Sequence, residues 1–170
     1  RSHRARLVHG HREGRRADPA MSRVVFRDAT RADVAAIVAL LTDDPLGKGR
    51  EGAEAQAYLD AFDDIAANPM HQLIVGEAGG RIIACAQLTV LAGLSRGGSR
   101  RALIEAVRVA ADLRSQGLGA ALMAECEARA RAAGCTMIQL TTDRSRLDAH
   151  RFYERLGYVA SHLGMKKPLT

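Results

Sequence analysis

The sequence predicts an α/β (α+β) domain built on a mixed, mostly antiparallel sheet with a central strand–helix–strand unit. Three observations lead there. Two apolar stretches, HQLIVGEA (71–78) and RIIACAQLTVL (81–91), meet at Gly79-Gly80, a pair that supplies the positive φ a two-residue hairpin turn needs. A third extended stretch, RALIEAVRVA (101–110), passes through a glycine-bearing turn into a helix, and CTMIQLTT (135–142) follows as a strand. Residues 21–170 carry neither an internal repeat nor a low-complexity segment, which excludes a repeat array.

The elements follow in order. VVFRDA (24–29) alternates and is rich in β-formers, so it reads as a first strand. Thr30 and Asp33 then have the spacing of a capping box, with Val34, Ile37, Val38 and Leu41 at helical intervals behind them. DDPLGKGRE (43–51) is a polar loop. A second helix is expected over about 52–67, with Tyr58, Leu59, Phe62 and Ile65 on one face and Asn68-Pro69 as its stop. After the hairpin, AGLSRGGSR (92–100) reads as a loop. In the next helix Leu118, Leu122, Cys126 and Ala130 fall in one line, and Glu125–Arg129 and Glu127–Arg131 are i,i+4 pairs expected on the solvent side. Gly134 ends that helix. Asp148 is expected to cap a short helix stopping at Gly157, and YVASHLGMKKPL (158–169) to supply one or two final strands.

Composition narrows the class. At 170 residues, 47% hydrophobic and 26% charged, the chain suits one globular domain with a sizeable core. No apolar run reaches the ~18–20 residues needed to span a bilayer. Cys85, Cys126 and Cys135 lack metal or redox spacing and sit among apolar residues, which predicts small buried thiols in a reducing compartment and a cytoplasmic location. The net charge of +6 is concentrated at the start: residues 1–20 carry six arginines against Glu13 and Asp18, leaving 19 basic and 17 acidic side chains for the other 150 residues. Residues 1–22 are therefore expected to be a disordered basic leader, and 23–170 the domain, with no nucleic-acid surface implied on it. His3, His9 and His11 lack a fixed scaffold, so no metal is expected.

The chemistry starts at RSQGLGAALMAEC (114–126). Gly117 and Gly119 leave main chain uncovered where strand turns into helix. Successive N–H groups from Arg114 through Ser115, Gln116, Gly117, Leu118, Gly119 and Ala120 can converge on one anion, with the positive end of the helix dipole behind them. Arg114 can add a charge-assisted contact. A lone G-x-G also occurs in turns for steric reasons alone. The G-x-x-x-x-G-K-S/T pattern of a nucleotide-hydrolysing loop is absent, and so is the repeated strand–helix–strand pattern of a dinucleotide fold.

IEAVRVAADLRSQGLGAALM resembles the coenzyme A-binding motif of the GNAT superfamily of N-acetyltransferases, with Arg114, Gly117 and Gly119 at its R-x-x-G-x-G/A positions. DAHRFYERLGYVAS resembles the closing A-x-x-x-Y-x-x-x-G-Y/F motif of the same family through Ala149, Tyr153, Gly157 and Tyr158. The resemblance covers roughly 23–168. It implies a GNAT-type sheet whose strands splay to form an acetyl-CoA cleft. It also implies that a bulge near Val107 to Val109 opens the cleft, that main chain at Val107 and Val109 pairs with the pantetheine arm, and that a freed N–H near Val107 stabilises an oxyanion.

Strict alternation puts Glu105 on one strand face with Leu103, Val107 and Val109, so its carboxylate must be hydrated, paired or raised in pKa. Acyl transfer from a thioester to an amine requires a neutral amine, so a base near it is useful. The family often places an acid on this strand for that role; the alternative is a structural ion pair with Arg101 or Arg108. Tyr153 holds the position of the family's usual general acid, and a phenol with pKa near ~10 can protonate the leaving sulfur. Its alternative role is packing beside Phe152 and Leu156.

One position departs from the pattern. Many members carry asparagine seven residues before the tyrosine, where it touches the cofactor; here that residue is Arg146, which can reach a cofactor phosphate, the substrate or solvent. The stretch TTDRSRLDAHRFYERLGYVASH is most similar to aminoalkylphosphonate N-acetyltransferases and their relatives. His150 reads as a surface or packing residue, with substrate contact as the sharper option. Asp43, Asp44, Lys48, Arg50, Glu51, Arg96 and Arg100 mix both signs on the acceptor side; they read as solvated loop charges, and none names the acceptor.

The resemblance thus implies direct transfer of acetyl from acetyl-CoA to a primary amine, without a covalent enzyme intermediate. The expected partner is a small-molecule amine rather than a protein lysine or N-terminus. Neither nucleic acid nor membrane is expected, and a homodimer is left open. Two rivals are a non-catalytic acyl-CoA sensor and a phosphate-binding module unrelated to coenzyme A.

Overall fold

The computed structural model describes residues 24–43, 47–49 and 51–169. The leader 1–22 and its histidines lie outside these residues, as do Asp44 and Arg50 of the acceptor-side loop. The order is β1 (Val25–Asp28), α1 (Val34–Thr42), α2 (Ala55–Ala67), β2 (His71–Ala78), β3 (Arg81–Leu91), a one-turn α3 (Ser95–Gly98), β4 (Arg100–Val109), α4 (Leu118–Ala132), β5 (Cys135–Leu140) and α5 (Leu147–Arg155). The five strands form one sheet in the order β1-β2-β3-β4-β5, antiparallel except for the β4–β5 pair. This is the expected mixed sheet with its central β4-α4-β5 unit.

Local sequence explains most boundaries. Gly79 and Gly80 turn β2 into β3 at φ +57° and +78°, a region open to glycine without steric cost. At the start of α1, the Thr30 N–H and hydroxyl donate to Asp33 Oδ2 at 2.7 and 2.9 Å, the expected box, although the first turn is a 3-10 segment, Arg31–Asp33. Arg27 of β1 grips the same carboxylate with two N–H groups, at 2.7 and 3.0 Å, and also reaches Glu77. The Arg27 guanidinium holds the Asp33 carboxyl down at about 2, well below the ordinary range.

The two sheet faces are covered by different helices. Ile74, Ala84, Ala86, Leu88, Ala102 and Ile104 are buried on one face, where α4 lays Leu118, Leu122, Met123, Cys126 and Ala130. On the other face, α1 brings Ile37 and Leu40 against β3 and β4, and the half-buried row Tyr58, Leu59, Phe62 and Ile65 of α2 approaches β2. Cys85 and Cys126 are free, and burial pushes both thiols up to about 12, so they are inert core groups. Among the described residues no helix is long and apolar enough to cross a membrane.

Three local expectations are corrected. The Glu125–Arg129 pair is not a solvent-side pair: Arg129, at 21% side-chain exposure, also contacts Asp28 of β1 and Gln72 of β2, because α4 crosses the sheet at that point. Asp148 does not cap α5; Arg146 is the capping position and Asp148 lies inside the first turn, paired with Arg151. No strand follows α5 among the described residues: Val159, Leu163, Met165 and Leu169 are exposed, so the alternation of this segment finds no ladder within the chain.

Candidate active site

The site is built where β4 and β5 part. Their parallel pairing runs from Arg100↔Cys135 to Ile104↔Leu140 and stops there. β4 continues beside β3 for five more residues, so Glu105–Val109 has a sheet neighbour on one side only. A bulge accompanies the parting. Gln87 faces Glu105 and Cys85 faces Arg108, so two residues of β3 span three steps of β4, and Ala106 takes up the difference at φ +53°. The Cys85 thiol lies 3.5 Å from the Ala106 carbonyl and donates to it.

The bulge overturns one sequence expectation. Directly opposite residues share a face. Gln87–Glu105 and Cys85–Arg108 therefore lie on one face, while Leu88–Ile104 and Ala84–Val109 lie on the other. Val107 and Val109 do not share the face of Glu105; Arg108 does. Glu105 itself is exposed.

From Val109 the chain enters a 3-10 turn, Ala111–Leu113, and reaches α4 through two left-handed residues, Ser115 (φ +63°) and Gly117 (φ +83°). The helix ladder begins with the Ala121 N–H on the Gly117 carbonyl at 3.0 Å. The amides of Leu118, Gly119 and Ala120 stand ahead of it at the positive end of the dipole. A Cβ built on Gly117 would meet nothing within 4 Å, whereas one on Gly119 would lie 3.2 Å from Phe152 Cζ and 3.9 Å from Val109 Cγ2. The two glycines thus serve different ends: Gly117 shapes an open cradle, and Gly119 lets α5 approach α4.

Around the cradle, Gln116 donates to the Asp112 carbonyl at 3.3 Å, and Arg81 grips Asp112 with two bonds. Arg114 donates through Nε to the Val109 carbonyl at 3.2 Å and through Nη2 to the Asp43 carbonyl at 3.1 Å. It therefore ties the end of β4 to the end of α1.

α5 presents the last elements. Its C-terminus is a Schellman cap: Tyr158 N–H donates to the Tyr153 carbonyl and Gly157 N–H to that of Glu154, both at 3.0 Å, with Gly157 left-handed at φ +90°. The cap turns the Tyr158 ring back onto Tyr153, centroids 5.7 Å apart and edge to face, with Phe152 5.0 Å away on the other side. This packing explains the Tyr-x-x-x-Gly-Tyr spacing. Burial raises the Tyr153 phenol above its usual value, opposed by the nearby charges of Arg146 and Arg108. The charges of Arg146 and Arg108 are thus within electrostatic reach of the phenol.

Other sequence candidates separate from it. His150 Nε2 lies 2.8 Å from the Asp143 carbonyl, which ties the preceding loop to α5. Arg96 and Arg100 flank the start of β4, roughly 20 Å along the strand from Val107, and Arg100 bonds the Ala133 carbonyl at the end of α4. Glu51 accepts a hydrogen bond from Tyr58. Arg108 is the residue sequence reasoning placed wrongly, since nothing in an alanine marks a bulge.

With this geometry in place, the comparisons decide the family. The model of the acetyltransferase (GNAT) family matches residues 33–158. The chain belongs to the GNAT family of acetyltransferases. It is 31% identical to an aminoalkylphosphonate N-acetyltransferase of Salmonella typhimurium, over 91% of this chain and 97% of that protein. It is 42% identical to a solved structure described as a transcriptional regulator from Bacillus halodurans, covering 86% of this chain and 100% of that one at a TM-score of 0.83. A predicted acetyltransferase from Clostridium acetobutylicum, solved with acetyl-CoA, is 16% identical, covers 85% of this chain and 96% of its own, and shares the fold at a TM-score of 0.67. This GNAT protein is accordingly an acetyl-CoA-dependent N-acetyltransferase.

Proposed function

We propose that the protein moves acetyl from acetyl-CoA directly to the primary amine of a small molecule. The observations that support this are an open amide cradle at Gly117, a stretch of β4 with a sheet neighbour on one side only, and a half-buried tyrosine on α5, whose neighbour Phe152 packs over Gly119. The Salmonella relative, named for its action on an aminoalkylphosphonate, supports a small acceptor.

The fit to acetyl-CoA rests on that open cradle, which a side chain would fill. The backbone from Ser115 to Ala120 would hold the pyrophosphate, with Gln116 and Arg114 beside it and the Leu118 side chain buried as an anchor. The main chain at Val107 and Val109 would pair with the pantetheine arm. Arg146 would supply positive charge near the thioester end. Acetyl-CoA brings the activated acyl group.

The protein's own groups handle the protons. Glu105 takes the proton that the attacking ammonium must lose, directly or through water. Tyr153 delivers one to the departing sulfur and regains one from the nitrogen, which loses a second proton as the amide forms; the first, taken by Glu105, passes to solvent, so one proton is released per turnover. The raised pKa suits Tyr153 to this, because it stays a neutral donor across the physiological range.

Thiol release from acetyl-CoA across a panel of small amines and lysine peptides tests the reading. Release on small amines, and little on peptides, is expected. Release on lysine peptides with little on small amines would contradict the small-molecule acceptor.

A further inference from the structure

The turn between β3 and β4 carries positive charge that the cleft does not use. Arg96, Arg100 and Arg101 fall within six residues, and no acidic side chain lies between Leu91 and Glu105. Arg100 is turned to the Ala133 carbonyl at the end of α4. Arg96 and Arg101 instead line a small hollow with Ser95 and Ser99, beside Leu91 and Met137.

The sheet register builds the apolar side of that hollow. Arg101 stands opposite Leu91 of β3 and Met137 of β5, and directly opposite residues share a face. The aliphatic stem of Arg101 thus lies between two half-buried apolar side chains, which leaves its guanidinium for the hollow. Arg96 reaches the same hollow from a left-handed position, φ +56°, followed by Gly97 and Gly98 at +69° and +74°. Arg101 is four residues before Glu105 on β4, about 13 Å along the strand. The hollow is therefore separate from the cleft.

Its chemistry is one-sided. A guanidinium only donates hydrogen bonds, and a serine hydroxyl can donate one. Among the described residues, no hydrogen bond or ion pair engages the side chains of Ser95, Arg96, Ser99 or Arg101, and no carboxylate lines the hollow. Donors gathered without an acceptor suit an anion with several oxygens. The base of the hollow measures about 10 Å³, room for a single oxygen atom. A compact group fits that shape, and a bulky one does not.

We propose that this hollow binds a tetrahedral oxyanion: free phosphate or sulfate, or the phosphate of a small monoester. One oxygen enters the base beside Ser95 and Ser99, and the others meet Arg96 and Arg101 at the mouth. The site goes beyond acetyl transfer and does not depend on it.

Calorimetric titration with inorganic phosphate, sulfate and glycerol 3-phosphate tests the site, at fixed ionic strength and with coenzyme A saturating so that the proposed cradle is filled. One equivalent should bind with a Kd of about 1 mM or tighter, the strength of two charge-assisted grips. Arg96→Gln and Arg101→Gln should each weaken binding by ~10-fold or more, with Tm within ~2 °C of the native protein, as for surface substitutions. Arg100→Gln removes a neighbouring charge outside the hollow and should weaken binding by less than ~3-fold. A preference for the monoester or for free phosphate supports the site in either direction and says which source it fits. No binding of any of the three anions, or a loss in Arg100→Gln equal to that in Arg101→Gln, overturns it. Failure of coenzyme A to bind would count against the cradle at Gly117 alone, because Arg101→Gln reports on the hollow whether or not the cradle is filled.

Discussion

Gly119 lies under the ring of Phe152, close enough that a Cβ at 119 would come within 3.2 Å of Phe152 Cζ. Phe152 is the immediate neighbour of Tyr153, and the two rings pack at 5.0 Å. The proposed cofactor cradle and the proposed acid are thus joined through one contact. Gly119→Ala gains about 1 kcal/mol of helix propensity but displaces Phe152 by a few tenths of an ångström. The expected result is a nearly unchanged Tm with a lowered kcat.

Gly117 should behave differently. Its φ of +83° makes any side chain strained, by roughly 1–2 kcal/mol. Gly117→Val also puts a branched side chain into the open cradle. A fall in Tm of several degrees, with acetyl-CoA binding lost in calorimetry, is expected. Retained affinity would show that the cradle does not hold the pyrophosphate.

Ala106 is the strained residue of the bulge at φ +53°. Ala106→Gly removes most of that strain, set against the greater backbone freedom of glycine when unfolded. Stability should rise by about 0.5–1 kcal/mol, with activity kept, in chemical denaturation. Ala106→Val should reverse the sign.

Asp33 gives a pH prediction. Its folded pKa of about 2 is below the ordinary value near 3.8. Its stabilisation is therefore present above pH ~4 and is lost as pH falls toward 2; at one pKa unit per 1.36 kcal/mol, it amounts to about 2 kcal/mol. Asp33→Asn should lower stability at pH 7 and flatten the decline between pH 4 and 2 in urea titrations.

Much of this was legible in the sequence, for local reasons. The Gly79-Gly80 hairpin, the α4 stripe of Leu118, Leu122, Cys126 and Ala130, and Gly157 as a helix stop depend on residue type and spacing, which the sequence displays. The resemblance put a bulge near Val107 to Val109, but its place at Ala106 was not legible, because alanine carries no mark of positive φ and the position is imposed by where β5 leaves β4. The alternation carried past it put Glu105 with Val109 when it belongs with Arg108. The residues after Tyr158 alternate as a strand would, yet a strand also needs a partner, and none pairs with them among the described residues.

The central claim is that Tyr153 protonates the departing sulfur at a site that binds acetyl-CoA independently of it. Tyr153→Phe keeps the ring packing on Phe152 and Tyr158 and removes only the donor. Its kcat and its acetyl-CoA Kd, measured on the same preparation, test the claim most directly. A kcat reduced by about 10²-fold or more with Kd unchanged is the predicted result; a kcat equal to that of the native protein would contradict it.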